Sequence, residues 1–381
     1  MVKLAPMLNN RVIIIGGGLA GLTAAIHLSK IGTDVTLVEK QEYPKHKVCG
    51  EYISNEVLPY LKWLGVNPME LDPAQITKAS FSTVDGKEIH CDLPLGGFGI
   101  SRYALDNFLY KHAVNNGCAV IRETVSDISF DNDQFTVTLS NDTKLKARVV
   151  IGAHGKRSNI DQKLDREFIA KKSPWLAVKA HYSGDFPDNL VGLHNFNGGY
   201  CGVSKVENGN INVCYLADFE SFKKYRNIEE YQAAVVCENP RLNEIFDNCV
   251  PLFDQPLTIS QISFEKKEPI EKHVLMIGDT AGLIHPLCGN GMAMAIHSAK
   301  LASECLSDFL SDEITREKLE ENYTRIWNDN FSRRLKTGRL LASALQQQTL
   351  SHILLRTLLF FPSLLPEIIK MTHGKPLKIA A

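Results

Sequence analysis

Residues 11–39 read RVIIIGGGLAGLTAAIHLSKIGTDVTLVE, and this stretch gives the strongest indication of the fold class. Its first five residues are a short β-branched run that ends in glycines, which predicts a buried parallel strand. Residues 19–31 carry apolar side chains at helical spacing and stop at a glycine, and residues 35–38 form a second strand that ends at Glu39. The stretch therefore predicts a strand, a glycine-rich turn, a helix and a second strand.

Each glycine of this turn has a mechanical reason to be there. Gly16 would make the tight turn off the strand, Gly18 would let the backbone approach a pyrophosphate, and Gly21 would let the helix pack close to the sheet. Unpaired N–H groups and the helix dipole favour an anion at the helix N-terminus. Glu39 lies near the offset of about 20 residues expected for an acid that hydrogen-bonds a ribose hydroxyl. These features predict a dinucleotide site, with an ordinary helix cap as the alternative.

A second glycine-rich segment follows another apolar strand late in the chain. It holds GDTAG at residues 278–282, Pro286, and GNG at residues 289–291, ahead of a helix predicted over residues 291–310. Together the two segments describe the two ends of one long dinucleotide. No second GxGxxG follows a strand, so no separate nicotinamide domain is visible. The predicted cofactor is FAD.

Residues 274–303 resemble the ribityl-binding segment of the FAD-dependent family that contains aromatic hydroxylases, flavin-dependent halogenases and geranylgeranyl reductases. The resemblance implies that Asp279 binds the ribityl chain and that the following helix N-terminus lies at the flavin ring. Residues 100–106, ISRYALD, are similar to the family's arginine segment, in which Arg102 would contact the cofactor. The FAD-binding residues predicted in this way are Gly16, Gly18, Leu19, Ala20, Gly21, Glu39, Lys40, Arg102, Val125, Asp279, Pro286, Gly289, Asn290, Gly291 and Met292.

A cysteine segment, KVCGE at residues 47–51, resembles the KxCG segment of geranylgeranyl reductases and of some hydroxylases. By that resemblance Cys49 would lie near the flavin and the substrate, as a catalytic or substrate-positioning residue. The alternative is a buried, inert cysteine, because reactivity requires a lowered pKa.

Two segments depart from the family pattern. Where the hydroxylases carry a GADG-type segment, this chain has GAHG with His154 in place of the acid, which puts a hydroxylase-like NAD(P)H site in doubt. Where the reductases carry YxWxFP, this chain reads YCGVSK at residues 200–205 and keeps only the tyrosine. The histidines on predicted sheet strands are candidates for proton transfer, with a structural role as the alternative. The substrate-pocket candidates are Tyr200, Cys201, His181 and His194.

The predicted fold is α/β, with two lobes and C-terminal helices. A discontinuous FAD-binding domain with a mostly parallel sheet covers residues 1–75, 98–176 and 265–335. An inserted antiparallel sheet for the substrate covers residues 76–97 and 177–264, including a hairpin within residues 81–93 and a helix over residues 228–249. Residues 336–381 form a C-terminal helical segment.

Composition excludes several kinds of partner. The chain has 42 Lys and Arg against 43 Asp and Glu, so it lacks the positive field that nucleic acid requires. Nine scattered cysteines without a CxxC pair indicate a reduced, cytoplasmic setting, and no metal cluster is predicted from spacing. No run approaches the roughly 18 apolar residues of a membrane span. The basic, apolar tail fits either a peripheral membrane contact or a cover over the substrate entrance.

Three functions follow from these observations. The favoured one is an FAD-dependent monooxygenase that hydroxylates a hydrophobic aromatic or quinone-like small molecule with molecular oxygen, through a flavin C4a-hydroperoxide, with NAD(P)H as a transient electron donor. The second is a reductase that saturates carbon–carbon double bonds by hydride transfer, as the resemblance to geranylgeranyl reductases implies. The third is a non-catalytic binding protein with an FAD-type fold.

Overall fold

The computed structural model describes residues 11–346, 356–358, 360–361 and 363–379, which form helices around three sheets. In chain order the strands are β1 (Val12–Ile15), β2 (Val35–Val38), β3 (Tyr52–Ser54), β4 (Ala74–Ser82), β5 (Glu88–Gly99), β6 (Ala119–Ile121), β7 (Val125–Asp131), β8 (Gln134–Leu139), β9 (Lys144–Ala147), β10 (Val149–Gly152), β11 (Trp175–Ser183), β12 (Leu190–Phe196), β13 (Gly199–Lys205), β14 (Ile211–Asp218), β15 (Val250–Pro251), β16 (Leu257–Ser260), β17 (Ile270–Glu271) and β18 (Val274–Met276). The α-helices are α1 (Leu19–Lys30), α2 (Leu58–Leu64), α3 (Arg102–Asn115), α4 (Asn159–Lys163), α5 (Phe219–Phe222), α6 (Ile228–Ala234), α7 (Pro240–Asn248), α8 (Gly291–Leu310), α9 (Arg316–Gln346) and α10 (Leu364–Thr372).

The first sheet has the strand order β17, β18, β10, β1, β2, β6, and only the β17 edge strand is antiparallel to its neighbour among the described strands. Strands β1, β2 and β10 are buried along their whole length, which explains their continuous apolar sequences. β1 lies between β2 and β10. Its partners on the two sides come from different parts of the chain, so the strand order changes direction at β1. Ligands of such sheets bind outside the carboxyl ends of the strands at this switch point.

The second sheet has nine strands, in the order β15, β11, β14, β13, β12, β4, β5, β3, with β16 also paired to β11. Its pairs are antiparallel except for β12 and β4. One face packs on α6 and α7 through side chains such as Val213, Tyr215 and Leu242. The opposite face lies near the carboxyl ends of the strands of the first sheet. A smaller sheet, β7 to β9, completes the fold, and the predicted α/β class is confirmed.

The predicted hairpin is present, because β4 and β5 pair in antiparallel register with Phe81 opposite Ile89. The single helix predicted over residues 228–249 is wrong. It is divided into α6 and α7, because Pro240 disfavours a helical conformation at Asn239, whose φ and ψ are −74° and 116°. The Asn239 side chain caps α7 and donates hydrogen bonds to Ser82, to a carbonyl of the β4–β5 turn and to the Asn195 carbonyl.

The C-terminal helices cover one end of the second sheet. α9 packs on α8, and α10 packs on β5 and α9. The buried carboxylate of Glu56 fixes the chain after α10, because it accepts a hydrogen bond from the Gly374 N–H and lies 3.3 Å from Arg334 Nη1. Within the described ranges, no helix has the length and apolarity needed to cross a membrane.

Candidate functional site

A cavity of about 640 Å³, here called the central cavity, lies between the carboxyl edge of the first sheet and the inner face of the second. The structure brings most of the predicted site residues to its wall. These are Gly16, Gly18, Leu19, Ala20, Glu39, Lys40, Cys49, Arg102, Tyr200, Asp279, Pro286, Gly289, Gly291 and Met292.

The other predicted residues do not line this cavity. Val125, predicted as a cofactor contact, instead packs in the hydrophobic core, where β7 turns its side chain inward. Cys201 faces the core on the opposite side of the second sheet. His194 is buried and hydrogen-bonds Ser82, and burial lowers the pKa of His194 to about 4.

Three more predicted residues lie beside the cavity. Gly21 packs α1 against the first sheet, where an added Cβ would come within 2.0 Å of the Gly16 carbonyl oxygen. Asn290 precedes α8 and donates its amide hydrogen to the Thr372 carbonyl at 2.9 Å. His181 pairs with the buried Glu51.

The N-terminus of α1 forms the first part of a cofactor cradle. Gly18 caps this helix without any side-chain hydrogen bond, and the first turn contains no acidic residue. A Cβ at Gly18 would find only Arg102 Nη2 nearby, at 3.7 Å, so the space in front of the helix is open. By contrast, Gly16 has φ +104° and an added Cβ would lie 2.4 Å from the Ala153 oxygen. The free N–H groups of α1 therefore fit an anion such as a pyrophosphate.

The Glu39 carboxylate is held at the end of β2. It accepts hydrogen bonds from the Gly17 N–H at 2.7 Å and from the Gln41 N–H at 2.9 Å. The Tyr43 hydroxyl fixes the same loop by donating to the Gly17 carbonyl at 2.6 Å. A carboxylate offers about four acceptor positions, so Glu39 retains capacity for a ribose hydroxyl.

The Arg102 side chain lines the cavity near the N-terminus of α1. Arg102 makes two hydrogen bonds to Asp106, at 2.7 and 2.8 Å, and Lys47 Nζ lies 2.9 Å from the same carboxylate. Burial alone would raise the pKa of Asp106, but the charges of Arg102 and Lys47 hold it below its usual value. Two cations against one carboxylate leave a net positive charge, which complements a phosphate group.

The late glycine-rich segment forms the second part of the cradle. Asp279 follows β18 and lines the cavity, and its carbonyl accepts a hydrogen bond from the buried Lys267 at 2.9 Å. Burial lowers the pKa of Lys267 to about 8. α8 begins at Gly291 without a side-chain cap, and the Asn290 amide nitrogen instead donates to the Thr372 carbonyl. Two uncapped helix N-termini thus adjoin one cavity, and the residues present fit FAD.

His154 lies between the two parts of the cradle. Its Nε2 is 3.1 Å from Asp161 Oδ1, and Arg166 Nη1 is 2.9 Å from the same oxygen. Arg166 also donates to the Thr280 carbonyl, and the Thr280 hydroxyl accepts from the Gly155 N–H at 2.8 Å. An acid seven residues after His154 therefore joins a hydrogen-bond network that connects the GAHG segment with the late glycine-rich segment.

The second sheet supplies the wall opposite the cradle. Cys49 is half-buried, and its carbonyl accepts a hydrogen bond from Asn212 at 3.3 Å. Tyr200 and Cys214 line the cavity on β13 and β14. Burial raises the pKa of Cys214 to about 12 and that of Tyr200 well above its usual value, so both side chains keep their protons at neutral pH.

Part of the cavity wall comes from the C-terminal helices and the neighbouring strands β4 and β5. We call this part the apolar arm. It is lined by Leu341, Leu358, Leu365, Ile368, Ile369, Phe81 and Leu93.

A buried polar cluster was not predicted from the sequence. Glu51 is inaccessible to solvent and accepts hydrogen bonds from the Arg102 N–H, Lys179 Nζ and His181 Nε2 at 2.8, 2.8 and 2.6 Å. Burial alone would raise the pKa of Glu51, but the His181 hydrogen bond and the Lys179 charge hold it below its usual value. The feature of the sequence that could have indicated this cluster is Lys179, a lysine within the mostly apolar strand β11.

The same cluster contains the potential metal ligands His46, Glu51 and His181, whose ligand atoms lie within 4.8 Å of one another. Lys179 already neutralises the Glu51 carboxylate, and its charge would repel a divalent ion. We therefore assign no metal to this group.

Comparisons with known proteins agree with the geometry of the cradle. The sequence profile described as FAD binding domain matches residues 9–326. Digeranylgeranylglycerophospholipid reductase from Methanosarcina acetivorans is 25% identical over 343 residues, which cover 84% of this chain and 80% of the reductase. Tryptophan 2-halogenase from Chondromyces crocatus is 23% identical over 349 residues, 85% of this chain and 66% of the halogenase. The structure of the flavin-dependent brominase Bmp2 shares the fold with a TM-score of 0.79 at 17% identity, covering 96% of this chain and 93% of the brominase.

Proposed function

The chain belongs to the FAD-binding domain family, and from this premise we propose that it is an FAD-dependent oxidoreductase that reduces a carbon–carbon double bond in a lipophilic, chain-bearing substrate. The apolar arm is the observation that carries this proposal. Bound FAD, once reduced, supplies hydride to a substrate or electrons to oxygen. The substrate, the direction of the reaction and its acid–base chemistry depend on this chain's own residues.

The cradle residues hold the cofactor in this proposal. The α1 N-terminus and Arg102 bind the pyrophosphate, Glu39 accepts a hydrogen bond from the adenosine ribose, and Asp279 binds the ribityl chain. The α8 N-terminus at Gly291 would place its positive dipole end beside the flavin ring, where it would favour negative charge.

The apolar arm holds the chain of the substrate. Leu358, Leu365 and Ile369 are buried and pack with β5 residues into one hydrophobic cluster, so these side chains offer an apolar surface to the chain of a substrate. An isoprenoid or similar unsaturated chain satisfies this chemistry. Cys49 and Tyr200, which line the same cavity, position the reacting double bond. The similarity to a reductase of geranylgeranyl chains supports this assignment.

Hydroxylation of an aromatic or quinone-like substrate is the second candidate function. The observation that favours it is the apolar wall of the central cavity outside the arm, formed by Leu193, Leu216, Ile262 and Leu283. Oxygen chemistry on a reduced flavin requires that water be kept from the reacting atoms. In this case NAD(P)H is the proposed electron donor, and molecular oxygen is the second substrate.

We also propose that the C-terminal segment contacts a membrane surface. Phe360, Phe361, Leu364 and Met371 are 79%, 61%, 43% and 42% exposed, although α10 buries other apolar side chains against the cavity. The segment also carries exposed basic residues such as Arg356. An apolar surface with basic residues is attracted to anionic lipid, and a lipid-borne substrate could then reach the arm beneath α10.

One experiment separates the two candidate reactions. The FAD-loaded protein is photoreduced without oxygen and mixed with geranylgeraniol or menadione, in the presence or absence of air, and the products are identified by mass spectrometry. The proposal expects anaerobic reoxidation of the flavin by geranylgeraniol and a product with two additional hydrogens. A product with one added oxygen atom, formed only in air, would support the second candidate. A flavin that geranylgeraniol does not reoxidise anaerobically, and that yields no oxygenated product in air, would overturn both.

A further inference from the structure

Lys267 is a buried lysine without a carboxylate in hydrogen-bond contact. It is 7% exposed, and its Nζ forms no ion pair with an Asp or Glu of the described residues. The ammonium instead donates hydrogen bonds to the Lys156 carbonyl at 3.0 Å and to the Asp279 carbonyl at 2.9 Å. The centroid of the Phe168 ring lies 4.2 Å from Nζ. Lysine is almost never buried unless it is paired, so the two carbonyls take the place of a carboxylate here.

The two carbonyls belong to neighbouring loops of the cradle. Lys156 follows β10 and the GAHG segment, and Asp279 follows β18. β10 and β18 are parallel neighbours, with Ile151 opposite Leu275, so both loops leave the same edge of the first sheet. Lys156 and Asp279 line the central cavity, whereas Lys267 does not. Lys267 therefore joins the two loops from within the protein, behind the cavity wall.

Other contacts between these loops hold the residue that follows Asp279. The Gly155 N–H donates to the Thr280 hydroxyl at 2.8 Å, and Arg166 Nη1 donates to the Thr280 carbonyl at 2.9 Å. Lys267 is the side chain that contacts the backbone of Asp279 itself. Loss of the Lys267 ammonium should therefore release Asp279 and leave the Thr280 contacts in place.

Charged groups surround the Lys267 ammonium. Burial lowers the pKa of Lys267 to about 8; the charges of Asp161 and Asp279 raise this pKa, and those of Arg166 and Lys156 lower it. The protonated amine makes charge-assisted hydrogen bonds, which are roughly twice as strong as neutral ones. When the pH rises above this pKa, the amine loses its charge and its hydrogen bonds to both carbonyls weaken.

We propose that Lys267 is a positioning residue of the cofactor site: it fixes the backbone of Asp279 relative to that of Lys156, and so places the Asp279 side chain for the ribityl chain of FAD. The inference rests on the proposed function, in which Asp279 binds this chain. Lys267 acts through Asp279. The α1 N-terminus and Arg102, which bind the pyrophosphate in that proposal, make no hydrogen bond to Lys267. Binding of the flavin half of FAD should thus depend on Lys267, and binding of the adenosine half should not.

The first test compares FAD with ADP, which lacks the ribityl chain and the flavin. Both are titrated calorimetrically into the apoproteins of wild type, Lys267→Met and Lys266→Met; Lys266 is an exposed neighbour that pairs with Glu268. Lys267→Met should weaken FAD binding about tenfold, the equivalent of about 1.4 kcal/mol, and leave ADP binding unchanged. Lys266→Met should match wild type with both ligands. Unchanged FAD affinity in Lys267→Met, or an equal loss of FAD and ADP affinity, would overturn the inference.

A double-mutant cycle tests whether Lys267 acts through Asp279. The FAD affinities of Lys267→Met, Asp279→Ala and the double variant are compared with that of wild type. Residues that act on the ligand through one another show non-additive effects. The Lys267→Met substitution should therefore change FAD affinity little once Asp279 is replaced by alanine. A tenfold loss that persists in the Asp279→Ala background would contradict the positioning role.

The pH dependence of FAD affinity gives a further readout. In wild type, the affinity should fall as the pH rises through about 8, because Lys267 loses its proton there. Lys267→Met should show no such fall, whereas Lys266→Met should follow wild type. A fall of the same size and midpoint in Lys267→Met would mean that another group causes it and would contradict the inference.

The same titrations separate this inference from the proposed function. A wild-type protein that binds no FAD would overturn both. A wild-type protein that binds FAD, with the same affinity in Lys267→Met, would overturn the positioning role alone. If the melting temperature shows that Lys267→Met does not fold, Lys267→Gln, which keeps an N–H donor but carries no charge, takes its place in each comparison.

Discussion

Replacing Lys179 with methionine tests the charge balance of the buried cluster. The substitution keeps most of the side-chain volume but leaves the Glu51 carboxylate, which is inaccessible to solvent, without its cation. Removing one partner of a buried ion pair costs about 3–5 kcal/mol of unfolding free energy. An unfolding entropy of about 2.1 cal/mol/K per residue gives ~0.8 kcal/mol/K for 381 residues. The expected decrease in melting temperature is therefore about 4–6 °C.

Thermal unfolding of wild type, Lys179→Met and the double variant Glu51→Gln/Lys179→Met measures this effect. The double variant should recover most of the loss, because it removes the buried charge as well. The folded-state pKa of Glu51 is lowered, so its stabilising contribution is present above the usual glutamate pKa of 4.5 and is lost as the pH falls through the lower folded value. The decrease in melting temperature caused by Lys179→Met should accordingly become smaller at acidic pH. A Lys179→Met protein that melts within about 1 °C of wild type at neutral pH would refute the reasoning.

The remaining predictions concern the cradle, the cavity and the C-terminal surface. Gly18→Ala should weaken FAD binding about 5- to 150-fold, the equivalent of about 1–3 kcal/mol of overpacking, without changing the melting temperature of the apoprotein. Gly16→Ala, at φ +104° and against the Ala153 oxygen, should instead lower the apoprotein melting temperature; equal melting of the two variants would contradict the distinction. Cys49→Ala should raise the KM for geranylgeraniol with FAD content unchanged, and an unaltered KM and kcat would remove this residue from the site. Replacing both Phe360 and Phe361 by serine should abolish cosedimentation with anionic liposomes but preserve turnover of detergent-dispersed substrate; retained cosedimentation would exclude this surface.

The residues of the cradle can be recognised in the sequence because their signals are local. The glycine turn after β1, the acid at the end of β2 and the segment before α8 each combine a buried strand with a glycine-rich loop. Topology then brings these loops to one cavity, since β1, β2 and β18 belong to the same parallel sheet. Residues such as Gly18 and Asp279 are therefore recognisable before the fold is known.

The Glu51 cluster could not be predicted because its members are far apart in sequence. Lys179 and His181 lie more than 120 residues after Glu51 and meet it only because the fold brings β11 against this residue. His194 has the same strand-borne pattern as His181 but hydrogen-bonds Ser82 instead of a carboxylate. Strand periodicity gives no information about which buried histidine meets an acid. The sequence also does not determine where the Val125 side chain points. Val125 begins β7, and the first residue of a strand can face either the cavity or the core.

In the proposed function, the two glycine-rich segments together hold one FAD. Calorimetric titration of FAD into the apoprotein, followed by the absorption spectrum of the complex, measures this binding. We expect one FAD per chain, with a bound-flavin spectrum in wild type and a weaker complex in Gly18→Ala. A wild-type protein that binds no FAD would show that the two segments do not form a cofactor site.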